Sequence, residues 1–128
     1  MIKAAGILFY RSKKHKLLLL RRTKDKLWGF PGGQLEKDES SINAAIRETF
    51  EETKIKVDDP SKLEPLVETS HYEGDTRTYM TYLYQTDVKL RPELNDEHSE
   101  ARWFKFWELP DDIHPGVSAA VTALLLKL

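Results

Sequence analysis

The chain has no cysteine among its 128 residues, which excludes disulfides and thiolate metal sites. Any bound metal must take oxygen or imidazole ligands. Charge of one sign is absent too: 20 Lys and Arg stand against 21 Asp and Glu, a formal net charge of -1. The whole molecule therefore has no general pull toward nucleic acid or anionic lipid, and any phosphate contact must come from local basic residues. No apolar run approaches the ~20 residues needed to span a bilayer. The N-terminus enters a strand-like segment directly and lacks a secretory signal pattern, so a cytoplasmic protein in a reducing compartment is expected. There is no internal repeat, linker or low-complexity tract. At this length one domain with a single core is expected over residues 1–128.

What is present is patterned. Residues 4–10 and 17–22 are apolar runs around a basic turn and predict a hairpin. Residues 28–33 form a turn cluster with two aromatics and paired glycines. Asp38, Ser40 and Ser41 are N-cap candidates for a helix running to about Thr53. Strands are expected at 63–72, 76–88 and 100–106, with a turn at 73–75, an irregular stretch at 91–99 and a loop at 110–116. Trp103 and Phe104 should fall on opposite faces of the last strand. Val117, Val121, Leu124, Leu125 and Leu128 recur at helical spacing and predict a C-terminal amphipathic helix. Strands with two helices argue for a mixed sheet between helices, an α/β (α+β) fold.

The densest signal is the segment 33–55. Gly33 is followed at fixed offsets by Glu39, Arg47, Glu48, Glu51, Glu52 and Ile55. At 100° per residue, Arg47, Glu51, Glu48 and Glu52 fall at about 0, 40, 100 and 140° around a helix. They share one face, and Ile42, Ile46, Thr49 and Phe50 lie on the other, toward a core. Crowding three acids within about one turn costs stability. A hard divalent cation, which prefers carboxylate oxygens, is the simplest compensation.

This segment resembles the signature of the Nudix hydrolase family, G-x5-E-x7-R-E-U-x-E-E-x-G-U with U apolar. Two positions depart from it: Thr49 replaces an apolar residue and Lys54 replaces a glycine. Thr49 should weaken packing without removing a ligand. Lys54 should take a left-handed C-cap at a cost of roughly 1–2 kcal/mol, or the helix should end differently. The resemblance implies an α/β/α sandwich and hydrolysis of a nucleoside diphosphate linked to another group X. It implies a Mg²⁺ or Mn²⁺ site at Glu48, Glu51 and Glu52, completed by the backbone carbonyl of Gly32, with Arg47 pairing to a carboxylate such as Glu39.

The remaining roles stay open at this level. Glu97 is favoured as general base, with Glu100 and Glu73 as alternatives and His71 and His98 as groups that titrate near neutral pH. Arg22 is favoured over Arg21 for phosphate contact, with Lys24 and Lys26 weaker. Base stacking falls to Phe30, Trp28 or Tyr79. Gly33 and Glu39 complete the substrate-binding candidates. A nucleoside or deoxynucleoside triphosphate is the first choice of substrate, because the short chain has no insertion for a second pocket. ADP-ribose and dinucleoside polyphosphates come second. By the same resemblance, the absence of an asparagine in 114–117, which family members acting on oxidised guanine nucleotides carry near the last helix, counts against that substrate. The absence of the glutamine that many similar enzymes acting on RNA 5′ ends or dinucleoside polyphosphates carry before the paired glycines counts weakly against those. No stable nucleic-acid or membrane binding is expected. Tyr82, Tyr84 and Trp107, if exposed, would supply a homodimer interface. A non-catalytic nucleotide-sensing domain would show lost motif acids, and none is lost. A structural Ca²⁺ site would favour a ligand-bearing loop rather than a helix.

Overall fold

The computed structural model describes residues 2–70 and 78–128. The predicted hairpin is β1 (Ile2–Arg11) and β2 (Lys16–Arg22), with Tyr10 opposite Leu17 and Arg11 opposite Lys16. His15 turns the chain between them with φ of 56°. Beyond that closed end the two strands take different partners. The short strand β3 (Trp28–Gly29) pairs with β2, and β4 (Gly32–Gln34) pairs with β1. The turn cluster 28–34 therefore fills the opening between β1 and β2.

The outer strands extend the sheet on both sides. β5 (Glu64–Thr69) pairs antiparallel with β6 (Thr78–Gln85), and β6 runs parallel to β1. β7 (His98–Lys105) lies antiparallel to β2. The sheet is thus mixed, as the order of elements requires. The turn expected at 73–75 lies outside the described residues, as do the ends of the two strands flanking it. The last strand begins at His98, inside the stretch expected to be irregular, because β2 offers it partners as far as Arg22.

Alternation sorts the sheet into two faces. Leu8, Tyr10, Leu17 and Leu19 face Val117, Ala120, Val121 and Leu124 of α2 (Pro115–Lys127). Ala5, Ile7, Phe9, Leu18 and Leu20 face Ala45, Ile42 and Ile46 of α1 (Ser41–Thr53). The result is the expected α/β/α sandwich. Trp103 packs with the second cluster and Phe104 with the first, on opposite faces.

Three local expectations change. The buried stripe of α2 is Val117, Ala120, Val121 and Leu124, and Leu125 and Leu128 are exposed, because α2 rests on the sheet over a narrow line. The loop before it stops at His114, which N-caps α2 by accepting from Gly116 N, with Pro115 opening the helix. On α1, Phe50 is exposed and lies under the Lys54 ammonium at 5.2 Å rather than in the core.

The ends of α1 follow from its sequence. Ser40 is the N-cap, its hydroxyl accepting from Asn43 N at 3.2 Å. Lys54 takes the left-handed conformation with φ of 63°, and its N–H donates to Phe50 O. Among the described residues no helix is long and apolar enough to cross a membrane.

Candidate active site

The splayed end of the hairpin brings the glycines of β4 against α1. Gly33 faces the Glu48 carboxylate so closely that a Cβ there would lie 2.6 Å from its carboxyl carbon. Gly32 donates its N–H to Glu52 Oε1 at 3.2 Å. Gly32 thus meets the acids through its N–H.

Arg47 organises the surrounding charge. Its Nε and Nη2 donate to the two Glu39 oxygens at 2.8 and 2.9 Å, and Nη2 also reaches Gln34 O at 3.1 Å. Nη1 donates to Glu48 at 3.0 Å and to Glu51 at 3.3 Å. One guanidinium thereby ties three acids of the motif to β4. Its hydrogen bonds and a further one from Glu36 N hold the Glu39 carboxyl down at about 2. The same contacts hold Arg47 firmly protonated.

Glu52 is the opposite case. Its side chain is only 3% exposed, and burial pushes its carboxyl up to about 9. The Gly32 N–H opposes that rise, whereas Glu48 and Glu97 add to it. His98 Nδ1 lies 3.9 Å from Glu52 Oε1, and burial lowers the imidazole pKa, which favours its neutral form. A carboxyl raised mainly by burial, with further acids beside it in a cleft, is a candidate functional group.

These groups face a cavity of about 550 Å³. Glu48, Glu52, Gly32 and Gly33 line one side. Arg22, Thr23 and Lys24 line it from the end of β2, and Glu97 and His98 from the start of β7. Phe30 and Tyr79 form an aromatic wall, their ring centroids 6.2 Å apart and tilted edge-on, beside His114 and the first residues of α2.

Each sequence candidate among the described residues has a definite place. Arg22 lines the cavity and pairs with Asp25 at 3.0 Å, whereas Arg21 donates to Lys26 O and lies over Trp28. Trp28 is a core anchor against Phe104, so the stacking candidates in the wall are Phe30 and Tyr79. Glu97 is in the wall, whereas Glu100 sits opposite Arg21 and pairs with Arg102. Glu51 is half exposed and engaged with Arg47, and Glu39 is committed to Arg47 rather than to the wall. Glu73 and His71 lie outside the described residues. Of the aromatics considered for an interface, Tyr82 is buried with its hydroxyl on Ser41, Tyr84 packs on Phe9, and Trp107 is exposed. Sequence reasoning missed Thr23 and Asn95, whose side chains hold the Glu97 segment through long-range and turn hydrogen bonds that no spacing announces.

The donor chemistry suits a hard divalent cation: hydrogen-bonded carboxylates, one buried and raised, and no sulfur. Among the described residues no three Asp, Glu or His side chains converge on one point, because Glu48 and Glu51 each turn an oxygen to Arg47.

Comparison with known proteins places this geometry. The NUDIX domain model matches residues 2–125. A bis(5′-nucleosyl)-tetraphosphatase (asymmetrical) of Caenorhabditis elegans is 32% identical over 99% of this chain and 94% of its own. The m7GpppN-mRNA hydrolase dcap-2 of the same organism is 36% identical over 70% of the chain, which spans only 11% of that enzyme. A MutT NUDIX hydrolase structure from Burkholderia pseudomallei superposes with TM-score 0.82 at 22% identity, covering 97% of this chain and 98% of that one. A C. elegans Ap4A hydrolase superposes with TM-score 0.79 at 22% identity, covering 99% and 97%, and both structures show the shared fold. The chain spans a third or less of several of the curated relatives it matches, and it belongs to the Nudix hydrolase family.

Proposed function

We propose that residues 1–128 act as one catalytic domain that cleaves a nucleoside 5′-polyphosphate, with a dinucleoside polyphosphate as first substrate. One observation carries this reading. A single cavity sets Arg22 and Lys24 and the carboxylates of Glu48, Glu52 and Glu97 around the Phe30–Tyr79 wall. A base stacked on Phe30 would direct its phosphates between cation and acids. The relative matched along nearly its whole length is a dinucleoside tetraphosphatase, which supports moving first choice from the triphosphate to that class. A nucleoside triphosphate is the second reading, favoured by the short chain, which has no insertion for a second pocket.

The chain's groups divide the work. Arg22 holds a phosphate, and Gly33 leaves room for Glu48. Glu39 fixes Arg47, which in turn orients Glu48 and Glu51. Mg²⁺ or Mn²⁺ held by Glu48, Glu51, Glu52 and the Gly32 carbonyl would supply charge neutralisation on the phosphates. Glu97 accepts a proton from the attacking water as its oxygen bonds to phosphorus. The bridging P–O bond breaks, and its electron pair leaves with the departing phosphate. The products are a nucleoside monophosphate and the remaining polyphosphate.

The test is product analysis with Mg²⁺ or Mn²⁺ on a dinucleoside tetraphosphate, the common triphosphates, ADP-ribose and a nucleotide sugar, with Glu51→Gln alongside. Monophosphate and triphosphate from the dinucleotide, lost in the variant, are expected. Turnover confined to triphosphates would select the second reading. Nucleotide binding without turnover would point to a sensing domain.

A further inference from the structure

The last turn of α1 leaves its C-terminal carbonyls without helical partners. Here four in succession are satisfied. Phe50 O accepts from Lys54 N at 2.9 Å, and the next three accept from the segment 93–95. Glu51 O accepts from Asn95 Nδ2 at 3.3 Å, Glu52 O from Asn95 N at 3.3 Å, and Thr53 O from Glu93 N at 2.8 Å. The helix carrying Glu48, Glu51 and Glu52 is thereby tied to the segment carrying Glu97.

Asn95 is where the two meet. Its Oδ1 accepts from Glu97 N at 3.1 Å, closing an Asx turn, and its Nδ2 also donates to Glu97 Oε2 at 3.3 Å. From the other side Thr23 N donates to Glu97 O at 3.0 Å. The Glu97 backbone is clamped between the β2 end and α1, and its carboxylate is aimed by one amide.

We propose that Asn95 is a positioning residue that sets the Glu97 carboxylate relative to the acids of α1. This rests on reading Glu97 as the general base. The amide does two separable things: Oδ1 shapes the turn, and Nδ2 orients the carboxylate and holds it to the helix end. Asn95→Ser and Asn95→Asp each keep a turn-forming acceptor and lose the Nδ2 amide, whose reach the shorter serine hydroxyl does not replace, and the second also places a charge beside Glu97.

The experiment is steady-state kinetics of Asn95→Ser, Asn95→Asp and Glu97→Gln on a dinucleoside tetraphosphate and on the common nucleoside triphosphates with Mg²⁺, with melting temperatures. Both Asn95 variants should melt within a few degrees of the parent. Their kcat should fall about 10- to 100-fold with KM within about twofold, as for groups that orient reacting residues. Asn95→Asp should be the slower. Parental kcat in both Asn95 variants, with Glu97→Gln inactive, would overturn the positioning role alone. Full activity in Glu97→Gln would overturn the base assignment and the inference with it.

Discussion

Arg47 grips both carboxylate oxygens of Glu39, eight residues earlier, with Nε and Nη2 at 2.8 and 2.9 Å. That fork is the geometry in which an arginine and a carboxylate bind most strongly. It explains why Glu39 lies outside the cavity: its task is to fix the guanidinium that touches Glu48 and Glu51. The folded carboxyl titrates at about 2, below the ~4.3 of an unfolded glutamate. Its contribution is therefore complete above about pH 4.3 and is lost as pH falls toward 2. Glu39→Gln should lower the urea midpoint at pH 7, and the gap from the parent should narrow between pH 5 and 2. A gap that is constant across that window would dismiss the pair as a source of stability.

Gly33→Ala places a methyl against the Glu48 carboxyl group. Glu48 must rotate away, because the nearest neighbours of the new carbon are all atoms of its carboxyl group, at the far end of a flexible side chain. A loss of kcat of at least about tenfold is expected, since small misplacements of reacting groups are costly. Circular dichroism should remain that of the parent. Full activity would show that Glu48 has no fixed role.

Glu52→Gln removes a buried carboxyl raised to about 9 by burial, Glu48 and Glu97. With chelator present, the variant should melt at or above the parental temperature. Added Mg²⁺ or Mn²⁺ should raise the parental melting temperature, through binding to the folded state, and should move the variant far less. Equal shifts in both proteins would place the cation elsewhere.

Thr49 is fully buried and its hydroxyl has no hydrogen-bond partner among the described residues. Thr49→Val keeps the shape and deletes an unsatisfied polar atom, which should stabilise by about 1 kcal/mol. Calorimetry should show a melting temperature a few degrees higher, with kcat unchanged. A lower melting temperature would mean that the hydroxyl is satisfied in solution.

The chemistry was legible in one dimension wherever it depends on spacing along a helix. Glu48 and Glu52 are one turn apart, so any helix there presents them together, and Arg47 reaches Glu51 for the same reason. The cap at Ser40, the left-handed Lys54 and the alternation of β1 and β2 are equally local, set by backbone sterics and side-chain period. Phe50 and Leu125 misled because helical spacing says which residues share a face, not how wide the covered strip is.

What only the tertiary structure decided is which distant groups meet. The sequence already favoured Arg22 over Arg21 and Glu97 over Glu100, but that Arg22 and Glu97 line one cavity follows from the irregular register where β2 meets β7 and from where β7 leaves the cavity edge. The raised carboxyl of Glu52 needs both the burial by β4 and the approach of Glu97. Asn95 matters through two carbonyls at the end of a helix more than forty residues earlier in the chain, where the backbone was short of donors. Such pairings depend on which elements the sheet sets side by side, and that is a property of the packed whole.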